Sequence, residues 1–173
     1  MNKTIETGRL LIRPIEDRDA EDIFEYAQGA NVGINAGWKP HENIEETIGI
    51  MKEVFLDQEN VFGIELKESG KLIGTIGLIR DMKRENDNVL MLGYAIGENY
   101  WGKGYMTEAA QAVVRYGFER LHLDLISAYC YPFNARSKRV IEKCGFLYEG
   151  KLHQAEKRYD GTILDNECYC LLK

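Results

Sequence analysis

Polar and apolar positions change period several times along the chain, and each change predicts an element. Arg9 to Ile15 alternates weakly and predicts a first strand. In EDRDAEDIFEYA, which follows, Asp17 or Asp19 can cap a helix whose apolar face is Ala20, Ile23, Phe24 and Ala27. Gly29 to Pro40 (GANVGINAGWKP) is rich in Gly and Asn and holds Trp38, which predicts a flexible loop with an aromatic available to a ligand. Asn43 can cap a second helix from Ile44 to about Asp57, with Ile44, Ile48, Met51 and Phe55 on one stripe.

The period then drops to two. Val61 to Lys67, a turn at Glu68 to Lys71, and Leu72 to Met82 form a hairpin signature. A polar turn, Lys83 to Asn88, precedes a buried strand, Val89 to Ile96 (VLMLGYAI). Helical spacing returns over Glu108 to Leu121, through Ala109, Ala112, Val113, Tyr116 and Gly117. Leu125 to Tyr131 predicts a strand, and Ala135 to Cys144 a helix closed by Gly145 as a left-handed cap. Phe146 to Glu156 and Thr162 to Leu172 predict two last strands, joined through Tyr159-Asp160-Gly161. The order is β-α-α-β-β-β-α-β-α-β-β, about seven strands and four helices in a mixed α/β (α+β) fold. No linker or repeat divides it, so 1–173 is expected to be one domain.

Composition narrows this picture. At 173 residues and 45% hydrophobic content, the chain can bury one good core and is too short for two ordinary ones. Its formal net charge of −6 argues against bulk nucleic-acid binding and suits either a cationic partner or simple solubility. Lys3, Glu6, Arg9 and Arg13 leave no apolar signal core at the start, and no apolar run approaches the ~18 residues of a membrane span. A cytoplasmic protein without a membrane partner is expected. Cys130, Cys144, Cys168 and Cys170 lack metal-ligand spacing and read as reduced, buried thiols rather than a disulfide. His41, His122 and His153 are dispersed, so no metal is expected.

Chemistry concentrates at Asn99 to Ala109 (NYWGKGYMTEA), where a strand stops, two glycines flank one lysine, and a helix begins. Free N–H groups of a first helical turn, with the helix dipole, attract an anion. Gly102 and Gly104 remove side chains that would hold a phosphate off the backbone, and Lys103 adds a cation. A dinucleotide fold would want a third glycine where Thr107 stands, and no Gly-Lys-Ser/Thr ending marks a nucleoside-triphosphate loop. The favoured reading is a pyrophosphate site of another kind, against the plainer one of a tight turn without a ligand.

That order, together with two motifs, resembles the GNAT superfamily of acyl-CoA N-acyltransferases. The first motif is Asn99-Tyr100-Trp101-Gly102-Lys103-Gly104, close to the family's Gln/Arg-x-x-Gly-x-Gly/Ala, with Asn99 departing at its first position. The second is Asn134-Ala135-Arg136-Ser137 followed by Val140-Ile141-Glu142-Lys143-Cys144-Gly145-Phe146, which is similar to the RimJ/RimL-like branch. TGRLLIRPIEDRDAEDI and YWGKGYMTEA are also typical of that branch, so the resemblance covers essentially the whole chain.

The resemblance implies a GNAT-type acyl-CoA-binding domain. Acetyl-CoA would be the co-substrate, with the pantetheine arm along Ala95 and Ile96. The pyrophosphate would lie on the amides of Gly102, Lys103, Gly104, Tyr105, Met106 and Thr107. Asn134 would contact the pantetheine, or cap the helix that follows, or both. Many members carry a Tyr acid seven residues after this Asn; here that position is Ile141, which cannot donate. The branch places a Ser three residues after it, and Ser137 matches as a hydrogen-bond donor to the leaving sulfur. Gln154-Ala155-Glu156 corresponds to the branch's carboxylate base, although Glu156 beside Lys157 and Arg158 also suits an exposed salt bridge, with water as base. Trp38 would wall the acceptor site or fill the core. The implied activity is N-acetylation of a protein N-terminal amine or a small amine by direct attack in a ternary complex, with a homodimer allowed. Alternatives are another acyl donor and an acyl-CoA sensor without turnover.

Overall fold

The computed structural model describes residues 4–173. Its eight strands form one sheet in the order β1-β2-β3-β4-β5-β6-β8-β7. The first five strands are β1 (Ile5–Glu6), β2 (Leu10–Arg13), β3 (Val61–Leu66), β4 (Lys71–Arg80) and β5 (Val89–Ile96). β6 (Leu125–Cys130), β7 (Leu147–Lys157) and β8 (Ile163–Leu172) complete it. The β5–β6 pair is parallel and the other pairs are antiparallel. A parallel pair needs a crossover, and α4 (Tyr105–Glu119) supplies it.

Five α-helices cover the two faces of this mixed α/β sheet: α1 (Ala20–Ala27), α2 (Ala30–Ala36), α3 (Ile44–Ile50), α4 and α5 (Ala135–Lys143). Successive strand residues point to opposite faces. Ile73 and Ile96 therefore join the cluster under α4 and α5, while their neighbours Leu72 and Ala95 join the cluster under α1, α2 and α3. Between the layers lies a buried ion network. Both guanidinium ends of Arg13 (7% exposed) meet the carboxylate of Asp19 (3% exposed) at 2.7 and 2.8 Å, and its Nε donates to Glu65 at 2.7 Å.

Several expected elements are revised. β1 raises the strand count to eight, because Ile5 and Glu6 pair with Ile12 and Leu11. Asp19 does not cap α1 with its side chain; it closes a capping box one turn earlier, at the 3-10 turn Asp17–Asp19 that leads into α1, where its carboxylate accepts the Glu16 N–H at 2.8 Å and also binds Arg13. The expected loop from Gly29 to Pro40 contains α2, which makes the fifth helix. Val32 is buried against α1, and Gly37 ends the helix in the left-handed conformation (φ 89°). The stripe from Ile44 to Asp57 divides into α3 and a π turn at Met51–Phe55. Within it Ile48 is exposed and Thr47 is buried, its hydroxyl bonded to His41 Nδ1 at 2.9 Å. α4 starts at Tyr105, a turn earlier than expected, directly after Gly104.

Candidate active site

β5 and β6 are in register only from Val89–Leu125 to Leu92–Ala128. Beyond Leu92 the strands part, and a cavity of about 490 Å³ opens between Gly93–Ile96 and Tyr129–Tyr131. Strand alternation divides its lining: Tyr94 faces α5, while Met91, Gly93 and Ala95 face the α1–α2 side.

On the α5 side, the chain leaves β5, makes a 3-10 turn at Glu98–Tyr100 and enters α4 through Gly102 (φ 75°) and Gly104 (φ 80°). These left-handed angles exclude most other residues. A Cβ on Gly102 would meet nothing within 4 Å, so the backbone there is open to a ligand. Arg9 splints the turn: Nη1 donates to the Lys103 carbonyl at 2.9 Å and Nε to Glu108 at 2.7 Å. Burial pushes the Glu108 carboxyl up, but bonds from Thr7 and Arg9 outweigh it and hold the group below the usual carboxylate range. Arg136, stacked 3.9 Å over the Trp101 ring, lines this end with Arg139 and Lys143. Open backbone amides at the start of a 15-residue helix, flanked by three cations, fit a diphosphate.

Ser137 sits in the first turn of α5. Asn134 caps that helix, its Oδ1 accepting from the Ser137 N–H at 3.1 Å, while its Nδ2 donates to the Asn35 carbonyl at 3.2 Å and ties α2 to α5. The Ser137 hydroxyl lies 2.8 Å from Tyr94 Oη, which is also 3.2 Å from the Ser137 carbonyl. Burial pushes the Tyr94 phenol well up, so it stays protonated at neutral pH. Ile141 is buried in the core.

On the α1–α2 side, Tyr131 Oη donates to Glu156 Oε1 at 2.6 Å, and Asn166 Nδ2 reaches Oε2 at 3.5 Å. A bulge aims Glu156 inward. Leu152 opposes Asn166 and Glu156 opposes Leu164, four steps on β7 against two on β8, with Gln154 at φ 50°. Glu156 is thus half-buried and bonded inside the cavity instead of paired with Lys157 or Arg158 at the surface. A Cβ on Gly37 would stand 2.3 Å from Tyr131 Oη, so the end of α2 lies directly over this pair. Burial, then the Glu156 bond, push the Tyr131 phenol well up.

The cavity brings together Ala95, Ile96, Gly102, Gly104, Tyr105, Met106 and Thr107 with Asn134, Ser137 and Glu156. Lys103 and Trp38 are not among its lining: the Lys103 ammonium lies 5.7 Å from the Tyr100 ring, and Trp38 packs on the apolar cluster of α1–α3. Sequence reasoning passed over Tyr94, Tyr131, Arg136 and Lys83. For Tyr94 a signal existed, since alternation along VLMLGYAI puts it on one face with Leu92 and Ile96. Among the described residues, no group of three or more His, Cys, Asp or Glu could hold a metal ion, and no helix is long and apolar enough to cross a membrane.

Known proteins share this architecture. A family model described as Acetyltransferase (GNAT) domain matches residues 9–147. The uncharacterized N-acetyltransferase YoaA of Bacillus subtilis is 34% identical, covering 98% of this chain and 96% of the relative. The ribosomal protein uS5-alanine N-acetyltransferase of Escherichia coli is 30% identical, covering 84% of this chain and 79% of the relative. A GNAT-family acetyltransferase structure from Bacillus anthracis superposes with a TM-score of 0.86 at 29% identity, covering 98% of each chain.

Proposed function

The chain belongs to the GNAT acetyltransferases, in their RimJ/RimL-like branch, and we propose that it moves the acetyl group of acetyl-CoA to a primary amine. The observation that carries this reading is the parting of β5 and β6, which joins the glycine turn before α4 on one face of the sheet to the chamber around Glu156 on the other. The first-turn amides of α4 would hold the diphosphate, and the unpaired edge of β5 beyond Leu92 would pair with the pantetheine arm. The acceptor is a protein N-terminal amine, as the name of the E. coli relative suggests, or a small amine. One domain over 1–173 would carry the reaction, in a reducing compartment that suits its free cysteines.

The residues divide the work. The amine nitrogen attacks the thioester carbonyl carbon directly, the C–S bond breaks, and the electron pair leaves on sulfur. Ser137 would donate a hydrogen bond to that sulfur, a modest aid to a thiol that already leaves readily. Glu156 would take the amine's proton: Tyr131 holds Oε1, while Oε2 has, among the described residues, the long Asn166 contact alone and is the oxygen left to receive it.

The experiment is thiol release from acetyl-CoA across a panel of amines, repeated with Glu156→Gln. Turnover should fall by about a hundredfold with acetyl-CoA affinity unchanged, and recover partly by pH 9, where more of the amine is unprotonated. Equal rates for both proteins from about pH 6 to 9 would leave water as the base. Acetyl-CoA binding without thiol release from any amine would make the protein a sensor.

A further inference from the structure

The chamber on the α1–α2 side carries two opposite charges. Lys83, in the turn after β4, lines the same cavity as Glu156, with its Nζ 4.4 Å from the Tyr129 ring centroid. It makes no ion pair among the described residues, whereas its neighbour Arg84 is engaged by Glu149 and Asp81. Asp81, 2% exposed, is itself consumed by Ser127 at 2.5 Å, Tyr129 at 2.7 Å and the Lys83 N–H at 2.8 Å. Lys83 is therefore a cation the chamber can offer a ligand, free of any ion pair among the described residues.

Spacing follows from the segment that carries both contacts. Tyr129, near the end of β6, supports Lys83, and Tyr131, the first residue beyond that strand, supports Glu156, so the two contacts lie two residues apart along the chain, at most roughly 7 Å between their backbones. Gly93 lines the cavity too, and a Cβ there would meet nothing within 4 Å, so the floor is open. The roof is closed over Glu156 by the end of α2, which Asn134 ties to α5. The net charge of −6 favours polycations for the molecule as a whole; the chamber, where Lys83 stands opposite in charge to Glu156, does not.

We propose that the acceptor is a small zwitterion, a primary amine that presents its nitrogen to Glu156 and a carboxylate, phosphate or phosphonate to Lys83. This rests on the transferase reading above. A second ammonium on the acceptor would face Lys83 and be repelled, and a neutral amine would leave Lys83 unused.

The test is thiol release from acetyl-CoA with β-alanine, γ-aminobutyrate and δ-aminovalerate, against butylamine, putrescine and an alanine-initiated tripeptide amide. The best aminocarboxylate should exceed butylamine and putrescine at least about tenfold in kcat/KM, the worth of one charge-assisted contact. Lys83→Met should collapse that ratio to about one, Lys83→Arg should keep it, and Lys83→Glu should invert it toward putrescine. Lys83 is exposed, and a thermal melt of each variant checks that the fold survives. The proposal is overturned if neutral, dicationic or peptide acceptors match the aminocarboxylates, or if Lys83→Met slows every acceptor alike. Acetyl-CoA binding with no release from any acceptor overturns the transferase reading instead, and this inference with it.

Discussion

Tyr94→Phe tests whether the hydroxyl of Ser137 is aimed by its neighbour. Tyr94 Oη lies 2.8 Å from Ser137 Oγ and 3.2 Å from the Ser137 carbonyl, so its single hydrogen has two acceptors within reach. When it goes to Oγ, the serine's own hydrogen is released toward the cavity, where the leaving sulfur would sit. A neutral hydrogen bond to sulfur contributes on the order of 1 kcal/mol, so Ser137→Ala should slow turnover about fivefold. Tyr94→Phe leaves the serine but lets its hydroxyl rotate, and should slow turnover about two- to fivefold with the KM for acetyl-CoA unchanged. Because Tyr94 acts only through Ser137, the double variant should be no slower than Ser137→Ala alone. The cycle would then give a coupling energy equal to the whole Tyr94→Phe effect. The assay is steady-state thiol release at saturating amine, with urea midpoints of all four proteins as a fold check. Additive losses, or a loss confined to KM, would refute the relay and make Tyr94 a packing residue.

Two further outcomes follow from the fold. Gly104→Asp forces a β-carbon onto a φ of 80° and sets a carboxylate at the start of α4; acetyl-CoA affinity by calorimetry should fall more than about tenfold, and an unchanged affinity in the folded variant would clear the turn of any phosphate role. Asp19→Asn removes one of the two carboxylates that pair the buried Arg13, leaving Glu65 on its Nε, and should cost about 2–3 kcal/mol, roughly 4 to 12 °C in Tm. Burial raises the Asp19 carboxyl, but bonds from Arg13 and Glu16 outweigh it, so the folded value is lowered. Its stabilisation is then complete above the unfolded value near 3.9 and is lost as pH falls through the lower folded one, and the urea-midpoint gap between wild type and variant should narrow below about pH 4.

Local chemistry was legible in the sequence where one segment carries it. The glycine turn, the Asn134 cap and the Gly145 stop each need only neighbours in the chain, and each is found where its residues predict. α2 was hidden because glycine and asparagine normally oppose a helix. Here Val32 packing on α1, a tertiary contact, decides the matter, while the left-handed Gly37 ends the helix locally through its N–H to Gly33. Tyr131 and Lys83 were hidden for the same reason: each matters through a partner far along the chain, Glu156 in one case and a shared cavity in the other. The inward turn of Glu156 depends on two residues more on β7 than on β8, a register fact that β7 alone does not encode.

The short β5–β6 ladder has a mechanical consequence. The strands before it and the strands after it form two antiparallel leaves, and four registered pairs are the rungs that hinge one leaf to the other. A ligand laid along the open stretch would supply the missing rungs and brace the leaves against each other. Such a molecule binds only the folded chain, so it should raise the melting temperature. It should also slow amide exchange most at Gly93 to Ile96, the rows it would complete, while Leu90 to Leu92, already laddered on both edges, should change little.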